Sequence, residues 1–146
     1  MTGSVRQVLY ISRACEALDD GGIKRIVASA QLNNRRGDVS GVLALGPGLF
    51  AQVLEGDAQT IEQTLARIRA DQRHHDVRLV LDRTLSARMF DRWSMELLVD
   101  DTSAGLASSV LESGEGADEL LEHLQRQHAQ DPLWWSPHLR TLALAA

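Results

Sequence analysis

The chain has 146 residues, enough for one domain around one hydrophobic core. It is 44% hydrophobic and 24% charged, and its 20 acidic against 15 basic residues leave a net charge of -5, which argues against a broad phosphate-binding face and hence against direct nucleic-acid binding. No apolar run is long enough to span a membrane, the N-terminal MTGSVRQ lacks a signal-peptide pattern, and the single cysteine, Cys15, cannot form an internal disulfide. The expectation is a cytoplasmic protein in which Cys15 is a plain small side chain, with no base beside it.

Val5 to Ser12 (VRQVLYIS) reads as a first strand, with Val8, Tyr10 and Ser12 on one face and Gln7, Leu9 and Ile11 on the other. Tyr10 is the only tyrosine, and a buried hydroxyl there needs a partner, either a backbone group or something else. Asp19-Asp20-Gly21-Gly22 supplies a turn and an acidic helix start, and a helix follows to about Asn34. Ile23, Ile26, Val27 and Ala30 form one apolar stripe, and at about 100° per residue Asn34 returns to it. Asn34 therefore serves as a helix cap, a ligand contact, or both.

After the charged turn Arg35-Arg36-Gly37-Asp38, Val39 to Leu45 reads as a second strand. Gly46-Pro47-Gly48 turns it into a hairpin with the next strand, Phe50-Ala51-Gln52-Val53-Leu54-Glu55-Gly56. On that strand Gln52 lies between Phe50 and Leu54 on one face, with Ala51, Val53 and Glu55 on the other. A buried amide without partners costs about 1–3 kcal/mol, so Gln52 is either a core glutamine bonded to nearby backbone or a side chain facing the polar edge of a ligand. Asp57 is placed to cap a helix over Ala58 to Ala70, whose stripe is Ile61, Leu65 and Ile68.

Asp71 to Asp76 reads as a polar loop, and the adjacent His74 and His75 lack the spacing and the third ligand of a metal site. Val77 to Leu81 is a fourth strand and Trp93 to Val99 a fifth, on which Trp93, Met95 and Leu97 share a face. Two helices follow, Ala104 to Leu111 and Ala117 to about Gln130, and the apolar end with Trp134 and Trp135 is expected to fold back onto the body. The order is β-α-β-β-α-β, then an extra strand, then helices: an α+β, ferredoxin-like plan with a C-terminal helical cap. Residues 1–100 would form the main unit and 101–146 the cap.

Five pieces in order carry a family likeness: Leu9-Tyr10-Ile11-Ser12-Arg13; Asn34 followed by Val39-Ser40-Gly41-Val42-Leu43; Phe50 to Gly56; Asp71-Gln72-Arg73-His74; and Phe90-Asp91-Arg92-Trp93-Ser94-Met95. Together, over roughly Val5 to Val99, they resemble the BLUF family of blue-light sensors that use FAD, in its short form with C-terminal helices. The resemblance implies noncovalently bound FAD, or a related flavin such as FMN or riboflavin, and a photoreceptor in place of an enzyme. Tyr10 matches the tyrosine that donates an electron and a proton to the excited flavin, and Gln52 the glutamine set between that tyrosine and the flavin. Asn34 matches the asparagine that holds the pyrimidine side of the ring. Ile26 and Ile68 match apolar residues of the two helices around it. Asp71, Arg73 and His74 match the loop close to the flavin, and Trp93 and Met95 the fifth-strand pair that reports the state of the glutamine.

Two departures are visible: Ala30, where some relatives have serine, and Asn33, where relatives often carry a larger side chain. Both bear on flavin affinity or photocycle rate and leave the tyrosine–glutamine pair untouched. One flat ring with a polar edge would satisfy Gln52, Tyr10 and Asn34 together. The stretch after Val99 is too short for a cyclase or phosphodiesterase, so the expected output runs through an unidentified downstream protein partner or a change in a homo-oligomer. The competing readings are a ferredoxin-like flavoenzyme, a flavin-free ligand or interaction module, and a small hydrolase using Cys15 or the His74-His75 pair, for which no base–orienter arrangement is legible.

Overall fold

Period-two alternation of β-branched and large apolar residues builds five strands, and the computed structural model sets them in one sheet. The structure describes residues 4–14, 25, 38–46, 48–72, 74–90, 95–99 and 101–130. The expectations for Cys15, for the helix over 19–34 (except Arg25, which is helical) with Ile26, Asn33 and Asn34, for Arg73, for Trp93 and for the tail with Trp134 and Trp135 lie outside the described residues.

Strand β1 spans Val5–Ala14, β2 Ser40–Gly46, β3 Leu49–Gly56, β4 His74–Leu85 and β5 Met95–Val99. Their order in the sheet is β4-β1-β3-β2-β5. The pairs β1–β3, β1–β4 and β2–β3 are antiparallel, and β2–β5 is parallel. Helix α1 covers Ala58–Ala70, α2 Asp101–Ser113 and α3 Ala117–Gln130. This is the expected α+β, ferredoxin-like arrangement extended by a fifth strand. Helix α1 starts where Asp57 accepts from the backbone N–H of Gln59 and Thr60 at 3.1 and 3.3 Å. Among the described residues, no helix is long and apolar enough to cross a membrane.

The two faces of the sheet are covered differently. Leu9, Ile11, Val42, Ala44, Ala51 and Val53 point to one face and share a buried cluster with Ala107 and Val110 of α2 and with Leu120, Leu121 and Leu124 of α3. Among the described residues, the C-terminal helices thus share the core of the sheet and close it. The opposite face carries Val8, Tyr10, Phe50, Gln52 and Leu54, all buried. Helix α1 contacts β3 and β1, and its Ile61 and Leu65 are buried.

Strand β4 differs from the expectation. It begins at His74, inside the stretch read as a polar loop, and runs to Leu85. As an edge strand with half-exposed positions it accommodates His75, Asp76 and Arg78, which hid it from a hydrophobic-pattern reading. It also carries two register irregularities against β1. Leu81 pairs with Leu9 and Leu79 with Tyr10, leaving Val80 as an extra residue. The second lies between the pairs Ile11–Arg78 and Arg13–His75, next to Asp76 with its φ of 55°.

Arg6 ties β1 to β4 and to α1. Its guanidinium donates to both Asp82 carboxylate oxygens at 3.0 and 2.8 Å and to Glu62 Oε1 at 2.8 Å. These hydrogen bonds, chiefly, hold the Asp82 carboxyl below the usual carboxylate range. The folded state thus has the lower pKa, so this contribution is fully present above about pH 4, the value of an unperturbed Asp, and fades as pH falls through the folded-state value. Asp82 is 40% exposed, so screening limits the pair to a fraction of a kcal/mol. Arg6→Met is expected to lower the urea midpoint at pH 7 and to leave a smaller gap from wild type at pH 3. An equal gap at both pH values would assign the effect of Arg6 to packing alone.

Candidate functional site

The site starts from a register. In the β1–β3 ladder Tyr10 pairs with Gln52, so two side chains 42 positions apart in the chain stand side by side on one face. Both are 3% exposed. The Tyr10 hydroxyl donates to Gln52 Oε1, which answers the question of how each buried polar group finds a partner. An amide has a carbonyl on one arm and an NH2 on the other. With the carbonyl engaged by Tyr10, the NH2 is the arm turned away from the hydroxyl.

Burial, first, and the negative charge of Asp71, second, raise the pKa of the Tyr10 phenol well above the usual tyrosine range. The hydroxyl thus remains a proton donor across physiological pH. Asp71 is the residue that ends α1; its backbone N–H donates to the Ile68 carbonyl at 3.1 Å. Both Asp71 and Ile68 are half-buried. Tyr10, Gln52 and Asp71 are therefore coupled, by contact in the first pair and through charge in the second. His74 opens β4, where it pairs with Ala14 in the ladder.

The sheet row through Gln52 runs Leu79–Tyr10–Gln52–Leu43–Leu97. Met95 pairs instead with Gly41, which itself pairs with Leu54. Sequence reading named Trp93 and Met95 on the fifth strand, yet the register brings Leu97 onto the row of Gln52. That residue was missed because the relative register of β2 and β5, a parallel pair joined through half the chain, leaves no local mark. The extra residue of β4 at Val80 lies directly beside Tyr10; bulges in this position bend a strand and re-aim its side chains.

A second buried polar group, on the opposite face, was also missed. Gln7 and Glu55 are both fully buried, and they are register partners. Each alternates with apolar residues, Leu9 and Ile11 or Ala51 and Val53, but that pattern alone does not tell a covered face from a wet one.

The donor set fits a flavin. Gln52 is a buried amide with one arm uncommitted to Tyr10, flanked on its face by the apolar Phe50 and Leu54. Ile68 and Asp71 lie at the C-terminal end of α1, and the charge of Asp71 reaches Tyr10. A flat apolar ring with a hydrogen-bonding edge matches that chemistry.

The family model described as BLUF, sensors of blue-light using FAD, matches residues 5–96. The chain is 30% identical over 96 residues to the photoactivated adenylate cyclase subunit beta of Euglena gracilis; the match covers 65% of this chain and 11% of the cyclase subunit. It is 33% identical over 82 residues to the blue light- and temperature-regulated antirepressor BluF of Escherichia coli K12, covering 54% of this chain and 20% of the antirepressor. The chain therefore spans only a small part of the length of these curated relatives. In fold it is similar to the dark-state structure of BlrB, a BLUF protein, with a TM-score of 0.71 at 24% identity, covering 86% of this chain and 96% of BlrB.

Proposed function

Because the chain belongs to the BLUF family of blue-light flavin sensors, we propose that it is a blue-light photoreceptor that holds FAD and signals through the Tyr10–Gln52 hydrogen bond. The observation that supports this reading is that bond, buried on one face of the sheet, with the phenol held protonated. A bound flavin supplies absorption of blue light and an excited state able to take an electron from a phenol. Tyr10 would give an electron to the excited ring and a proton by way of Gln52 Oε1, and both would return to Tyr10, so that no net oxidation or reduction remains. Gln52 then changes its hydrogen-bond arrangement, and an amide suits this because rotation or tautomerisation exchanges donor and acceptor on one pivot. By the family resemblance, Ile26 and Ile68 would hold the faces of the ring, and Asn34, Asp71, Arg73 and His74 its polar margin. Trp93 and Met95 would report the state of Gln52, as the resemblance implies.

The output is protein–protein signalling in the cytoplasm, through a downstream partner or a change in self-association, and the chain itself has no enzymatic activity. The names of the relatives join this domain to unlike outputs, an adenylate cyclase in one and an antirepressor in the other. Helices α2 and α3, packed on the sheet face opposite Tyr10 and Gln52, are the elements through which a change in the sheet would leave the domain.

An absorption spectrum of the FAD-loaded protein in the dark and after blue light tests the reading. The expected result is a flavin spectrum that shifts slightly to the red and returns in the dark. Bound flavin with no reversible shift would overturn the switch, and failure to bind FAD on reconstitution would overturn the sensor as a whole.

A further inference from the structure

Glu55 lies on β3 three residues after Gln52, on the face that the C-terminal helices cover. It is fully buried, and its carboxylate accepts three hydrogen bonds from described residues. Oε1 accepts from the backbone N–H of Phe90 at 2.9 Å; Oε2 accepts from the backbone N–H of Met89 at 3.1 Å and from Gln7 Nε2 at 2.7 Å. Gln7 Oε1 in turn accepts from Arg83 Nε at 2.7 Å. The backbone of Glu55 is held as well, since Arg88 Nη1 donates to its carbonyl at 3.0 Å and to Ser40 Oγ at 2.7 Å. Two successive amides at the end of the segment after β4 are thus bound to a side chain of β3.

Phe90 is what makes this a connection. Its ring is fully buried in the cluster that contains Val110, Leu120, Leu121 and Leu124 of the C-terminal helices. A shift of β3 that moves the Glu55 carboxylate must therefore move Phe90 or break two hydrogen bonds. Hydrogen bonds left unmade in a buried site are costly, and a packed core responds to displacement by repacking.

We propose that Glu55 is a positioning residue that couples β3 to helices α2 and α3, carrying the state of Gln52 to the helical cap through the backbone of Met89 and Phe90. The inference rests on the switch reading above and adds a route through the sheet to its far face. Glu55→Gln exchanges one acceptor for a donor, so at least one of the three donors on the carboxylate loses its acceptor.

The test is hydrogen exchange of the full-length FAD-loaded protein, dark and illuminated, followed over residues 104–127, with the absorption spectrum taken on the same samples. In the wild type, light is expected to change exchange in α2 and α3. In Glu55→Gln the red shift persists and the light-minus-dark difference in these helices is lost. A residue that only stabilises the fold would raise exchange in dark and light alike and keep the difference, and that result overturns the proposal. Should Glu55→Gln fail to fold, Phe90→Leu leaves both amides on the carboxylate and removes the ring from the cap; a full cap response in that variant likewise overturns it. A wild type with no red shift defeats the switch reading itself, whereas a red shift without any cap response defeats only the coupling.

Discussion

Tyr10→Phe is expected to yield a protein that folds and binds FAD but shows no reversible red shift after blue light. The ring of phenylalanine fills the same volume, so the apolar face with Phe50 and Leu54 remains packed. What disappears is the hydroxyl, and with it the hydrogen bond to Gln52 Oε1. Losing one buried bond and leaving an acceptor unmatched costs about 1–3 kcal/mol, a tolerable fraction of a stability of roughly 5–15 kcal/mol. The photochemical loss should be complete, because phenylalanine has no proton to give and its ring is far harder to oxidise than a phenol. Spectra before and after illumination, with flavin content measured on the same sample, separate the two effects. A Tyr10→Phe protein that still cycles would sink the mechanism and move the donor to another side chain.

The residues that matter to that prediction were legible before the fold was known. Tyr10 and Gln52 each stand on an alternating face whose other members are large and apolar, and a polar residue in such a row needs a partner. That they answer one another required the β1–β3 register, which places them directly opposite. The hairpin at 46–48 and the apolar stripe of α1 were equally plain, since turn chemistry and periodicity are local.

The losses came where local pattern and tertiary position part company. Gln7 and Glu55 occupy alternate positions to Tyr10 and Gln52, and a sheet with one wet face would show such residues on its wet side. Here α2 and α3 cover that face, so both are buried and must bond to each other and to the 89–90 backbone. Nothing within β1 or β3 announces that covering. Strand β4 was cut short for a related reason: its extra residues break period two, and its edge position admits charges that read as loop. The place of Leu97 on the row of Gln52 follows from a parallel pairing between β2 and β5 that only the assembled sheet reveals.

Gly41→Ala is expected to be the most damaging single change in the sheet. Gly41 lies in β2 with φ at 148°, between Leu54 on β3 and Met95 on β5. A Cβ there would lie 1.9 Å from the Val53 carbonyl oxygen and 2.8 Å from its carbon, both backbone atoms of the neighbouring strand. No side chain can swing away to make room. Either β2 separates from β3 or Gly41 abandons its conformation, and both routes disturb the ladder two residues from Leu43, the partner of Gln52. Strained φ alone costs on the order of 1–3 kcal/mol, and the broken pairing adds to it, so a loss of at least about 3 kcal/mol is expected. Gly48 provides the control: its φ is also positive, at 73°, yet an added Cβ meets nothing within 4 Å. Gly48→Ala should therefore cost only about 1–2 kcal/mol, the penalty for an L-residue in left-handed backbone. Urea midpoints for the two variants, with FAD uptake measured alongside, decide the point. Equal midpoints would mean that β2 yields easily and that the close approach at Val53 does not hold the row of Gln52 in place, whereas a Gly41→Ala protein far less stable than Gly48→Ala, with weakened FAD uptake, ties the site on one face to the spacing of two central strands.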